Sequence, residues 1–215
     1  KSWDRELFAK DPYGRNLWGV PPQGRADYAF FQHIAKSMDP VTGRAAILFP
    51  HGVLFRKEEA ALREQLVRSG ILEAVIGLGP GLFYNSPMEA VVITLRAQKP
   101  AEHRDKVLLV NAVKQYGREH AQSFLRESHQ QSILEAYESW RVEPGFTAVA
   151  TTEEIGEKLW SLAIPLYVGP VISASRVNGE AISIGTAVSH WRDSAVRANQ
   201  AIESVLAFPP QAANQ

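Results

Sequence analysis

The sequence contains no cysteine in 215 residues. Disulfides, thiolate metal sites and cysteine nucleophiles are therefore excluded, and the composition fits a reducing cytoplasm. Neither sign of charge is in excess, since Lys plus Arg and Asp plus Glu both number 23. No net field draws the chain toward nucleic acid or anionic lipid, so any basic surface has to be local or supplied by a partner. No apolar run approaches the roughly 20 residues of a membrane span, and the opening residues do not read as a signal peptide. The six histidines are scattered without ligand spacing, so no metal is expected. What is present is ordinary for a globular chain: 45% hydrophobic and 21% charged residues, long enough to bury a core. The chain starts at Lys1 without a Met, and the expectation is a piece of something longer.

The stretch from Gly43 to Leu95 organises the rest. Three apolar runs, Ala45–Phe49, Leu72–Leu78 and Ala90–Leu95, are too continuous for half-exposed strands. Such runs suit the centre of a sheet covered on both faces. Helix-permissive residues 58–69 lie between the first two, with Ala61, Leu62 and Leu66 on one face and Gly70 placed to end it. This alternation predicts an α/β domain with a largely parallel sheet. The second and third runs are joined by Gly79–Glu89, which has no room for a crossover helix. They should form an antiparallel hairpin, an unusual edge for such a sheet. Their loop presents Leu82-Phe83-Tyr84, and exposed aromatics on a Gly- and Pro-studded connection suggest a binding surface.

Before this stretch, residues 1–26 read as an ordered loop pinned by Trp3, Phe8 and Trp18. A helix follows with Asp27 as its cap and Phe30, Phe31, Ile34, Ala35 and Met38 as its buried stripe. After it, Val107–Val110 predicts another strand, and the character changes near Tyr116. Ser128–Gln131 has capping-box spacing ahead of a helix that turns Ile133, Ala136, Tyr137 and Trp140 inward. Thr151–Glu154 repeats the start signal, and LAIPLYV reads as an extended linker. Val177-Asn178-Gly179-Glu180 reads as a hairpin turn between weak strands. A final helix from Gly185 to Leu206 carries Val188, Trp191, Ala195, Ala198, Ile202 and Val205 at spacings of three and four, a coiled-coil seam. Such a seam packs on its own domain or on a partner helix. The predicted division is 1–118 for the α/β part and 119–215 for a mainly helical extension.

Two apparent motifs do not hold. Gly77-Leu78-Gly79-Pro80-Gly81 lacks the third dinucleotide spacing, and no helix follows. His103-Arg104-Asp105 imitates a kinase catalytic loop, but position 110 is Val and no phosphate loop accompanies it. His51 stands apart, because it follows Pro50 at the carboxyl end of a buried strand, where α/β sheets gather ligands. The pair is a candidate pocket lining; His51 can equally be structural or solvated.

In order, Asp11-Pro12, Gly19-Val20-Pro21-Pro22, Ala26-Asp27-Tyr28-Ala29-Phe30, Gln32-His33, Gly43-Arg44-Ala45-Ala46-Ile47, Pro50-His51-Gly52-Val53-Leu54-Phe55-Arg56 and Leu82-Phe83-Tyr84 resemble one family. Glu154-Ile155 and Ile164-Pro165-Leu166-Tyr167-Val168 continue the match more loosely. The family is the modification (M) subunit of type I restriction–modification systems, and the resemblance spans residues 1–168. It implies the back half of a class I S-adenosylmethionine-dependent methyltransferase sheet, whose antiparallel edge hairpin distinguishes it from a Rossmann sheet.

The activity implied is methyl transfer from S-adenosylmethionine to the N6 amine of a DNA adenine flipped from the duplex. The implied partners are DNA, a specificity subunit and a restriction subunit, with a second copy of the chain as another occupant for the C-terminal seam. In related enzymes an aromatic in the loop between the last two strands stacks on the flipped base. Phe83 matches that position, with Tyr84 beside it; the alternative is that Phe83 folds back onto the hairpin. The Asn/Asp-Pro-Pro-aromatic turn that accepts the amine hydrogens is missing, since Asp11-Pro12-Tyr13-Gly14 lacks one Pro. The glycine-rich cofactor loop is missing too. The resemblance therefore implies a fragment that neither binds S-adenosylmethionine nor catalyses alone. The competing readings are a non-catalytic module that docks on a specificity subunit, and a methyltransferase acting on RNA or cytosine N4.

Overall fold

The computed structural model describes residues 3–83, 86–120 and 122–169, with 176–177, 180–181, 185, 188–189, 191–194 and 196 beyond them. Asp4 opens the first helix, α1 (Arg5–Lys10), by accepting the Leu7 amide at 2.8 Å. The chain then runs irregularly to α2 (Asp27–Ser37), held by buried Phe8 and Trp18 and by the Trp3 indole, which donates to the Gln23 carbonyl at 2.6 Å. Trp18 meets Phe31 edge-on at 5.4 Å, so two of the expected aromatic pins are seated directly in or on the core.

On α2 the buried face is Tyr28, Ala29, Phe31 and Gln32. Phe30, assigned to that stripe from spacing, is instead 65% exposed. Burying Tyr28 and Gln32 rotates it outward: the Gln32 amide is consumed by the Trp18 N–H and the Gly19 carbonyl, which makes a polar residue admissible inside. Asp27 is not the cap either. The N-cap is Ala26, and the Asp27 carboxylate is engaged by Arg56.

Strand β1 (Arg44–Pro50) leads through a 3₁₀ turn, His51–Leu54, and a second at Lys57–Glu59 into α3 (Ala60–Arg68). Then come β2 (Leu72–Leu78), β3 (Ala90–Arg96) and β4 (Lys106–Ala112). A small hairpin, β5 (Gly117–Glu119) and β6 (Gln122–Phe124), precedes α4 (Glu127–Ser139), β7 (Thr147–Thr151) and α5 (Thr152–Glu157). The main sheet has five strands in the order β1-β3-β2-β4-β7. Only β2 and β4 run parallel, so the largely parallel sheet expected from alternation is a mixed one. The β2–β3 hairpin is antiparallel as expected, but β1 flanks one side and β4 the other, so it lies inside this sheet.

Two apolar layers sandwich the sheet. Ile47, Phe49, Val75, Val91, Ile93, Leu95 and Leu109 face α2 and α3, while Ala74, Ile76, Leu78, Leu108 and Val110 face α4. Burial on both faces is what the continuous runs in β2 and β4 require. Helix α4 turns Ile133, Ala136, Tyr137 and Trp140 toward the sheet as its spacing predicts. Its start is shifted, however: Arg126 is the N-cap, and its amide donates to His129 Nδ1 at 3.2 Å. Thr151 does cap α5, accepting the Glu154 amide.

The segment LAIPLYV is no linker. Leu162, Ile164 and Val168 are buried in the α2/α3 layer, and the Leu162 amide donates to the Leu54 carbonyl at 2.8 Å. The chain divides into two compact units, 1–170 and 171–215. The boundary expected at 118/119 falls inside the first, because β7 pairs with β4 and α4 covers the sheet. In the second unit β8 (Arg176–Val177) and β9 (Glu180–Ala181) pair antiparallel across the expected turn. Residues 188–189 and 191–194 are helical, with Val188 and Trp191 exposed. Ala195, Ala198, Ile202 and Val205 of the predicted seam lie outside the described residues.

Candidate nucleic-acid interface

Pro50 pairs with Ala90, which puts Pro50-His51 and the Gly79–Glu89 loop at one end of the sheet. That end carries exposed apolar surface: Phe55 is 49% and Met88 68% exposed. His51 is half-buried and touches the Phe55 ring edge-on at 5.8 Å.

The turn from Pro50 to Arg56 is fixed by a buried polar network that sequence patterns did not single out. The Tyr28 hydroxyl donates to the Val53 carbonyl at 3.1 Å. Arg63 Nη1 donates to the same carbonyl at 3.3 Å, and its Nε to the Trp160 carbonyl at 2.8 Å. Arg63 is nearly fully buried on the side of α3 that periodicity leaves polar. Burial pushes the Tyr28 hydroxyl far above its ordinary range, so it remains a donor at any working pH. Arg56 closes the outer side, 2.7 Å from Asp27 and 3.4 Å from buried Glu59. Burial raises the Glu59 pKa, an effect that Arg56 opposes. A Cβ at Gly52 would lie 2.8 Å from the Arg56 guanidinium and would push that side chain from its present place. The signal available in advance was charge where apolar residues were expected, at Asp27, Arg56 and Glu59.

In the β2–β3 loop, Leu82 and Phe83 are half-buried against the α4-side layer. A tight antiparallel bridge links Phe83 and Ser86, with the Ser86 amide donating to the Phe83 carbonyl at 3.1 Å. Phe83 is thus partly buried on the protein and not enclosed by it. Tyr84, its expected companion, lies outside the described residues. The structure brings Pro50, His51 and the Phe83 loop to one end of the sheet. No group of three or more His, Cys, Asp or Glu among the described residues could hold a metal ion, and no described helix is long and apolar enough to cross a membrane.

A family model described as N-6 DNA Methylase matches residues 1–174. The chain belongs to the N-6 DNA methylase family. It is 31% identical over 167 residues to the type I restriction enzyme MjaVIII methylase subunit of Methanocaldococcus jannaschii, covering 75% of this chain and 28% of that protein. It is 30% identical over 180 residues to the MjaVII methylase subunit of the same organism, covering 79% of this chain and 30% of that protein. The chain thus spans less than a third of these relatives' length. A solved type I restriction–modification methyltransferase subunit from Streptococcus thermophilus superposes with a TM-score of 0.72 at 32% identity, over 78% of this chain and 36% of that one. The mixed sheet with its internal hairpin is therefore that of the methyltransferase-fold M subunits.

The Gly79-Pro80-Gly81 turn does not fit S-adenosylmethionine. The glycines of the Gly79-Pro80-Gly81 turn face protein rather than a cradle. A Cβ on Gly79 would lie 2.6 Å from the Tyr116 ring and 2.8 Å from the Val113 carbonyl. One on Gly81 would lie 3.0 Å from Ser123 Oγ. What this end of the sheet offers is an aromatic, apolar and partly polar surface.

Proposed function

We propose that this chain is part of the modification subunit of a type I restriction–modification system, a cytoplasmic DNA adenine N6-methyltransferase. The observation that carries the reading is the family match across residues 1–174, supported by half-buried Phe83 on a loop at the same end of the sheet as Pro50-His51. The role assigned to these residues is handling the base. An adenine flipped from the duplex would stack on Phe83, with Tyr84 beside it, and lean on the Pro50-His51 rim. S-adenosylmethionine and the groups that accept the amine hydrogens would be held by other parts of the full subunit.

The exposed, helical Val188 and Trp191 favour a second role in the same protein, docking on the specificity subunit. The seam proposed for that docking continues through Ala195, Ala198, Ile202 and Val205. The restriction subunit would join through that assembly.

The test is methyl transfer by the full subunit, assembled with its specificity subunit, from radiolabelled S-adenosylmethionine to DNA. Label recovered as N6-methyladenine is expected; label in N4-methylcytosine or in RNA would overturn the substrate assignment. The isolated 215-residue chain is expected to give no heat on titration with the same cofactor.

A further inference from the structure

Strands β2 and β4 are parallel neighbours with Leu78 opposite Ala112, so the chain leaves both at the same end of the sheet. From β4 it goes directly into the β5–β6 hairpin, which packs on the loop that carries Phe83. The Ser123 amide donates to the Gly81 carbonyl at 3.2 Å, and the absent side chains of Gly79 and Gly81 make room for Tyr116 and Ser123. The hairpin is therefore anchored two residues before Phe83.

The hairpin and its flanking residues have a composition that the molecule as a whole lacks. In a chain of zero net charge, residues 113–126 carry Lys114, Arg118 and Arg126 against one carboxylate, Glu119. All three cations are exposed, and none forms an ion pair among the described residues. Elsewhere Arg56, Arg96 and Lys158 are paired with carboxylates. The Arg126 guanidinium lies 5.6 Å from the Phe124 ring centre, which holds the charge in place. Glu119, His120, Gln122 and Phe124 line an open depression of about 530 Å³ beside it. At the hairpin tip His120 adopts φ +53, a left-handed conformation that glycine would hold at less cost.

We propose that the β5–β6 hairpin is a DNA-backbone contact of the methyltransferase, in which Lys114, Arg118 and Arg126 meet phosphates flanking the base that Phe83 receives. The proposal rests on the adenine methyltransferase reading above. Its chemistry is independent of base sequence: exposed cations displace counterions from the duplex and position it, while specificity is read elsewhere. Placing the contact beside the base loop lets the backbone be gripped close to the flipped nucleotide.

The experiment uses the full subunit assembled with its specificity subunit. Binding of duplex DNA, with and without the target site, is measured across a salt series for wild type and for R118Q/R126Q. Each phosphate contact contributes about 0.9 to the slope of log K against log salt. The variant should lose about 1.8 from that slope, equally on target and non-target DNA. K114Q should lose about half as much, and it provides a second readout should the double variant misfold. An unchanged slope in both variants, with wild type binding and methylating DNA normally, overturns the proposal. So does loss of co-purification with the specificity subunit, which would make the hairpin a protein interface. Wild type that neither binds nor methylates DNA overturns the parent reading instead.

Discussion

The guanidinium of Arg56 sits 2.7 Å from the carboxylate of Asp27, twenty-nine residues earlier in the chain. The contact ties the start of α2 to the turn that follows β1, and so fixes the angle at which Pro50 and His51 leave the sheet. Arg56 also faces Glu59, whose side chain is fully buried. Removing Arg56 leaves that carboxylate without its counter-charge, and breaking such a partly buried pair costs about 3 kcal/mol. Arg56→Met should lower the urea midpoint accordingly. Adding Glu59→Gln should recover part of the loss, since the orphaned charge goes with it. Equal midpoints for the single and double variants would place the cost elsewhere.

Phe83→Ala in the full subunit should reduce methylation while cofactor affinity stays near wild type. Base–aromatic stacking is worth about 1–3 kcal/mol per base, or roughly fivefold and upward in base binding. Because Phe83 also packs on the α4-side layer, Phe83→Leu is the discriminating variant. It keeps most of the packing and loses the aromatic face. Stacking predicts that both variants are impaired; packing alone predicts that Leu restores the rate.

Lys99 gives a pH signature. Its ammonium donates to the Leu72 and Lys106 carbonyls at 2.9 and 2.7 Å, and burial pushes its pKa from 10.5 down to about 8, against the pull of Glu73 and Asp105. The folded chain therefore holds fewer protons at this site than the unfolded chain between those two values. Stability should rise with pH across that window. Tyr137 works the other way above pH 10, since burial and its bond to Glu73 raise its pKa from 10.0 to about 12. The clean window is pH 8 to 10, read from urea midpoints. Lys99→Met should abolish the rise; a wild-type midpoint that is flat over this range would contradict the assignment.

Trp191 tests the docking role. It is 73% exposed, so Trp191→Glu should leave the folding of the sheet unit untouched by circular dichroism. Sedimentation of the full subunit with its specificity subunit should then show weakened assembly, by tenfold or more for loss of a buried aromatic anchor. Wild-type affinity in the variant would remove this helix from the interface.

Local rules made much of the molecule legible. The continuous runs at Leu72–Leu78 and Ala90–Leu95 could only be doubly covered strands, and Thr151 could be read as a cap because its partner is three residues away. The ordered motifs around Pro50–Arg56 and Phe83 lie at one end of the sheet, as the sequence order of the strands implies. What stayed hidden depends on distant partners. Phe30 and Phe31 have the same hydrophobicity, and only the seating of Gln32 under Trp18 decides which one is buried. Arg63 looks like a solvated helix residue until the Trp160 carbonyl, ninety-seven positions away, arrives to accept from it. The pairing of β2 with β4 and of β4 with β7 is likewise long-range, so alternation of elements suggested a more parallel sheet than forms. LAIPLYV looked extended because a Pro sits in it, yet its apolar residues fill a gap that the other helices leave.

Strand β1 is the outermost of its sheet, and one row of its backbone amides and carbonyls has no strand beside it among the described residues. Leu48 stands 48% exposed on the same strand, with exposed Ala46 and Pro50 alternating along it. A seven-residue border of this kind, without a bulge in its pairing to β3, is a template for sticking to another chain. Produced alone at high concentration, the 215-residue protein should drift into oligomers through this border. A lysine at position 48 is the simplest change that should keep it in solution.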